Sequence, residues 1–273
     1  MSKAEYYVPD SRPWFKLYDE PVQRHIDYLE KPLFYFLDKA AKEYPENSAL
    51  SFYGTEINYK EYKESVDKFA HALQLNGVHK GDRVIIMAIN CPQIVIGIYG
   101  TMKAGAIPIP LNPLYTAKEL EYFFKDLEPR MVVTPDNFYA NVLEASKSTP
   151  QIEKIISTNI SDYFPSIKKH LARITGKVKV VECKEAVDFK EFIDVSPDFK
   201  EIEINPKEDV ALIVYTGGTT GEPKGVMLTH HNIMANILNF EEWFKNVPVK
   251  SCLLVVPLFH IYGSGPIINF IAS

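Results

Sequence analysis

Between residues 84 and 157 short β-rich apolar runs alternate with helical stretches, and few folds accept that pattern. Residues 84–88 read as a buried strand. Residues 92–104 read as a helix, with Asn90 as its cap and Gly105 as its stop. A strand follows at 106–110. Thr116 and Glu119 have capping-box spacing and open a helix to Leu127. Residues 131–134 read as a strand, 137–147 as a helix and 153–157 as a strand. Strands separated by helices predict a parallel sheet with helices on its faces. Residues 84–102 carry no charged side chain over 19 residues, but Asn90, Pro92 and Gln93 interrupt them. A buried strand and a buried helix explain this run better than a membrane span.

Upstream, residues 1–30 hold Tyr6, Tyr7, Trp14, Phe15 and Tyr18 in a Pro-punctuated stretch, read as an extended arm packing over its own domain. A peripheral membrane contact is the alternative, since Trp and Tyr favour interfaces. A helix is expected at 33–44, ended by Pro45, then a hairpin about Gly54 and a helix closed by Gly77. Downstream, 178–181 and 252–256 read as strands. Lys168, Lys169, His170, Arg173, Lys177 and Lys179 form a cationic run, read as a solvated surface, with attraction to CoA phosphates or an acidic membrane surface as the alternative. The division expected is an arm at 1–30, a first α/β subdomain at 31–205 and the start of a second at 206–273.

The chemistry-bearing stretch is 215–225, Tyr-Thr-Gly-Gly-Thr-Thr-Gly-Glu-Pro-Lys-Gly. Glycines let backbone N–H groups approach a ligand and form a concave anion site. Thr216, Thr219 and Thr220 add hydroxyl donors, and Lys224 adds a compact cation. An ordinary hairpin turn needs neither the threonines nor the lysine, so a polyphosphate is the expected guest of Thr216, Gly217, Gly218, Thr219, Thr220, Gly221 and Lys224. The Walker pattern fails, because Lys224 follows Pro223 and Gly225 stands where Ser or Thr would hold magnesium. Val226 and Leu228 alternate with polar and intermediate positions, so the loop is expected to join two strands, with a helix starting near Thr229 or His230. His230 and His231 are adjacent and lack the spacing of a metal pair.

The stretch 215–225 resembles the signature loop of acyl-adenylate-forming enzymes, the family of acyl-CoA synthetases, luciferases and peptide-synthetase adenylation domains. That family's consensus has Ser where this chain has Gly217. Gly81-Asp82-Arg83-Val84, Lys103-Ala104-Gly105-Ala106 and Leu111-Asn112-Pro113 before Tyr115-Thr116 occur in the family's order. So does Pro257-Leu258-Phe259-His260-Ile261-Tyr262-Gly263, a strand end expected to become a pocket wall. The leader, Arg12-Pro13-Trp14 through Tyr18 and on to Pro32-Leu33, is most similar to long-chain fatty-acid–CoA ligases.

The resemblance implies layered α/β sheets with flanking helices, as in the large N-terminal domain of acyl-CoA synthetases, but incomplete. It implies a fatty acid, ATP and CoA as substrates, with Mg2+. Thr220 and His260 would be catalytic, with Phe259, His260, Tyr262 and Gly263 lining the acid pocket. An aryl- or other acyl-CoA ligase of the same family, or a non-catalytic nucleotide-binding domain, is the alternative. The family's magnesium acid, ribose aspartate and late lysine have no match up to Ser273, so the chain is expected to be an inactive N-terminal half.

The net charge of −5 offers no basic field for nucleic acid. Cys91, Cys183 and Cys252 are far apart in sequence, with neither metal spacing nor a disulfide framework. With no secretory signal visible, a cytoplasmic location is expected, with or without peripheral membrane contact.

Overall fold

In the computed structural model the described residues are 12–20, 22–216, 222–247, 251–261 and 263–264. Helix α1 (Tyr35–Glu43) is followed by an antiparallel hairpin, β1 (Ser48–Phe52) and β2 (Thr55–Asn58), turning through Tyr53 and Gly54. Asn58 then forms a capping box with Glu61 at the start of α2 (Tyr59–Leu75). The expected alternation follows as β3 (Arg83–Met87), α3 (Pro92–Lys103), β4 (Ile107–Leu111), α4 (Ala117–Leu127), β5 (Met131–Pro135), α5 (Tyr139–Ser146) and β6 (Lys154–Thr158). Next come α6 (Ser166–Ile174), β7 (Ala186–Asp188) and α7 (Phe189–Phe192). The last described elements with assigned bounds are β8 (Val210–Thr216), β9 (Lys224–Thr229) and α8 (His230–Phe244).

Five strands form one parallel sheet in the order β4-β3-β5-β6-β7. β3 enters first and has its two successors on opposite sides, so the helices that follow β3 and β4 lie on opposite faces. Val84 and Ile86 point into one core with α1, α2, α3 and α8, while Ile85 and Met87 point into the other with α4 and α5. This is the period-2 alternation of a strand buried on both sides. Such a reversal of strand order opens a crevice at the carboxyl ends of the strands, where open α/β sheets bind ligands. Helix α3 is buried all round, which accounts for its uncharged run. No described helix is long and apolar enough to cross a membrane.

The end of α3 carries a buried ion cluster. Lys103 is 2% exposed and reaches Asp38 at 2.5 Å and Asp67 at 2.7 Å, tying α1, α2 and α3 together. Part of the arm packs on α8. The Tyr18 ring meets Trp243 edge-on at 5.1 Å, and the Gln23 N–H donates to Glu242 at 2.5 Å.

Four local expectations are corrected. Asn90 does not cap α3; Cys91 takes the cap position without a side-chain bond, and Pro in the first turn leaves one fewer N–H to satisfy. Residues 178–181 are not a strand. The Lys179 carbonyl accepts from Asn159 Nδ2 at 3.0 Å and the Val181 N–H donates to Asp136 at 2.9 Å, while Ala186–Asp188 takes the place beside β6. Residues 252–256 join no ladder and the Val255 N–H bonds back to the Leu253 carbonyl at 3.1 Å, with Leu253 84% and Val255 73% exposed. Finally, the apolar spacing of Ile233, Ile237, Leu238 and Phe240 predicts a helix that buries all four, yet Phe240 lies on the exposed side of α8, stacked on Phe244 at 4.4 Å.

Candidate functional site

Strands β8 and β9 pair antiparallel, with Val214 opposite Val226, Tyr215 opposite Gly225 and Thr216 opposite Lys224. The phosphate-loop candidate is therefore the connection of a hairpin, as its failed Walker spacing implies. Gly217, Gly218, Thr219, Thr220 and Gly221 lie outside the described residues. Thr216 and Lys224 face each other at the mouth, both exposed, and the Thr216 hydroxyl donates to the Lys224 carbonyl at 3.5 Å. At the far end of β9 the Thr229 hydroxyl accepts from the Asn232 N–H at 3.2 Å, and α8 begins at His230. His230 is structural: its Nδ1 accepts the Leu33 N–H at 3.2 Å.

The hairpin stem is braced by α4, a support that motif reading missed. The Tyr215 ring meets Phe123 edge-on at 4.7 Å, and Phe123 in turn stacks on Tyr115 at 4.9 Å. The Tyr215 hydroxyl donates to the Asp126 carboxylate. Burial, and then this bond, push the Tyr215 phenol well above its ordinary range. One turn earlier on α4 the Tyr122 hydroxyl donates to the Pro223 carbonyl at 2.8 Å, holding the loop's descending limb. Tyr122 and Asp126 are four residues apart and share a helix face. The only sequence hint was that Thr116 and Glu119 fix where that helix starts. Gly225 packs tightly: a Cβ there would sit 3.1 Å from Ile213 Cγ2 and 3.4 Å from the Tyr215 ring, so those side chains would have to yield by a few tenths of an ångström.

The second motif lies at the carboxyl end of β3. Asn90, three residues past that strand, donates to the carbonyls of Leu254 and Val256, each at 2.9 Å, and accepts the Leu258 N–H at 2.8 Å. One amide thus replaces the strand neighbour that residues 254–258 lack. It holds the segment leading to Phe259 and His260 near the carboxyl end of β3, the side on which open α/β sheets bind ligands. Leu258 is buried in the same core cluster as Val214 of β8, so a common core anchors both motifs.

After Pro257 the chain tightens into helical turns. The His260 N–H donates to the Pro257 carbonyl at 3.1 Å, and the His260 carbonyl accepts from Gly263 at 2.8 Å and Ser264 at 2.9 Å. A Cβ on Gly263 would lie 2.0 Å from the Pro257 oxygen, so only glycine fits. His260 is exposed, Phe259 is half-buried and Gly263 is buried; Tyr262 lies outside the described residues. Among the described residues no group of three His, Cys, Asp or Glu side chains is placed to hold a metal ion.

The pattern of an AMP-binding enzyme matches residues 37–272. A long-chain-fatty-acid–CoA ligase of Bacillus subtilis is 36% identical over 271 residues, covering 96% of this chain and 48% of that protein. One of Haemophilus influenzae is 31% identical, covering 92% of this chain and 47% of its own length. The crystal structure of a long-chain-fatty-acid–CoA ligase from Archaeoglobus fulgidus superposes with a TM-score of 0.73 at 29% identity, over 91% of this chain and 46% of that one. The chain spans about half the length of these relatives. The Thr–Gly hairpin, the crevice motif and these matches together place the chain in the AMP-binding enzyme family.

Proposed function

We propose that this chain supplies the phosphate grip and part of the acid site of an ATP-dependent acid–thiol ligase acting on long-chain fatty acids. A carboxylate oxygen attacks the α-phosphorus of ATP, the bond to pyrophosphate breaks, and an acyl-adenylate forms. The sulfur of CoA then attacks the acyl carbon, its proton leaves to solvent, and AMP departs. The chemistry rests on positioning and charge stabilisation. The loop amides, with Thr216, Thr219, Thr220 and Lys224, hold the β- and γ-phosphates. His260 orients the carboxylate against Phe259 and Tyr262, and Gly263 lets the pocket wall turn. Magnesium arrives with ATP.

The carrying observation is the braced hairpin that sets Thr216 opposite Lys224. The long-chain assignment is supported by the leader motif and by its similarity to the two bacterial long-chain-fatty-acid–CoA ligases. Carboxylate-dependent ATP–pyrophosphate exchange by the full-length protein, across acetate, octanoate, palmitate and coumarate, tests it. Palmitate should give the highest rate, with AMP rather than ADP released. Fastest exchange with coumarate would favour the aryl reading, and ATP binding without exchange would favour a nucleotide-binding domain. We further propose that residues 1–273 alone do not complete the reaction.

A further inference from the structure

Helix α6 is the described helix of its length that contributes least to the core: none of its nine residues is buried. Its apolar residues nevertheless form a stripe. Ile167, Leu171 and Ile174 fall at i, i+4 and i+7 and are 77%, 54% and 69% exposed. Val180 and Val181, just downstream, are exposed as well, and the Val178 N–H bonds back to the Ala172 carbonyl at 3.1 Å. A stripe at this spacing normally faces a core; here it faces outward.

Within this stretch the charges have one sign, although Asp162 and Glu182 bound it. Residues 163–181 contain no Asp or Glu but hold Lys168, Lys169, Arg173, Lys177, Lys179 and His170, in a chain of net charge −5. Lys169 pairs with Asp162 at 3.2 Å, and Lys168 donates to the Tyr53 carbonyl at 2.6 Å. Among the described residues Arg173, Lys177 and Lys179 have no ion-pair partner. The Lys168 contact brings in the β1–β2 turn, where the exposed Tyr53 ring lies 4.5 Å from Phe164. An apolar stripe with basic flanks and an aromatic at the rim is the composition of a helix that lies in the plane of a lipid interface. A protein partner would need a complementary acidic groove; an anionic bilayer answers both the charge and the unpartnered apolar face.

We propose that α6, with residues 177–181 and the Tyr53 turn, docks this protein on an anionic lipid surface. This surface is separate from the adenylation reading and stands or falls independently of it. The test is co-sedimentation of the full-length protein with phosphatidylglycerol or phosphatidylcholine vesicles, without ATP, acid or CoA. The protein should pellet with phosphatidylglycerol, much less with phosphatidylcholine, and less as salt rises. Leu171→Ser with Ile174→Ser should lower partitioning about tenfold or more. Lys177→Ala with Lys179→Ala should lower it about thirtyfold on the anionic vesicles alone. All four positions are exposed, so circular dichroism should show folded variants. Equal partitioning of parent and variants, equal affinity for both lipids, or failure of the parent to pellet would overturn the proposal. So would self-association abolished by the serine pair with no vesicle binding, which would assign the face to a second copy of the chain.

Discussion

The Leu258 N–H is held by the Asn90 side chain at 2.8 Å, across 168 residues of sequence. The same amide holds the carbonyls of Leu254 and Val256, so one side chain at the end of β3 sets the backbone that leads to His260. Replacing it with leucine removes three hydrogen bonds and leaves part-buried backbone groups unpaired. Asn90→Leu should cost about 2–4 kcal/mol. In the full-length enzyme it should raise the KM for the acid more than the KM for ATP. Urea unfolding and steady-state kinetics check both; an unchanged acid KM would separate Asn90 from the site.

The brace on the other motif should be felt at the opposite substrate. Tyr215→Phe removes the bond to Asp126, and Tyr122→Phe the bond to Pro223. Each should cost about 1 kcal/mol. Because the hairpin then holds its loop less firmly, the ATP KM should rise several-fold with the acid KM unchanged.

Gly263→Ala puts a methyl 2.0 Å from the Pro257 oxygen, and backbone must move to admit it. The displaced turn carries His260. Acid-dependent exchange should fall by a hundredfold or more, on the order of the loss expected when reacting groups are misplaced by about 1 Å. The fold should survive by circular dichroism.

His230 gives a pH signature. Burial is the largest cause holding its imidazole down to about 4, opposed by Asp209 and assisted by Lys80. Its folded pKa thus lies below the unfolded value of about 6.5, and the unfolded chain binds the extra proton between the two. The contribution is complete above about pH 6.5 and is lost as pH falls towards 4, amounting to about 3 kcal/mol. His230→Gln, which can still accept the Leu33 N–H, should flatten stability over that window.

Lys103→Ala should be among the most damaging substitutions far from the crevice. It leaves Asp67, 5% exposed, without the lysine that faces it at 2.7 Å and with the half-exposed Lys63 as its remaining cation. Because Lys63 still compensates Asp67, the cost should fall below the about 3–5 kcal/mol of a fully broken buried pair, readable as a lower urea midpoint.

Much of this architecture was legible because its signals are local. The run 84–102 reads as strand plus buried helix from its lack of charge alone, and Thr116 with Glu119 marks the start of α4 to the residue. Misreadings occurred where a segment's state depends on a distant neighbour. Residues 178–181 and 252–256 have strand composition, yet side chains from Asn159, Asp136 and Asn90 meet their backbone groups. Composition says what a strand could be made of; only the fold says whether an edge is open beside it. The site divided in the same way. Glycines and threonines announce a phosphate loop by themselves, whereas Tyr122 and Asp126 acquire their role only once α4 lies against the hairpin.

The central claim is that the hairpin grips the pyrophosphate end of ATP for adenylation of a carboxylate. Palmitate-dependent ATP–pyrophosphate exchange by the full-length protein, compared with its Thr220→Val and Lys224→Ala variants, tests it most directly. Robust exchange in the parent, with a loss of tenfold or more in each variant, is the predicted result. No exchange with any carboxylate in the parent, or undiminished exchange in both variants, would contradict it.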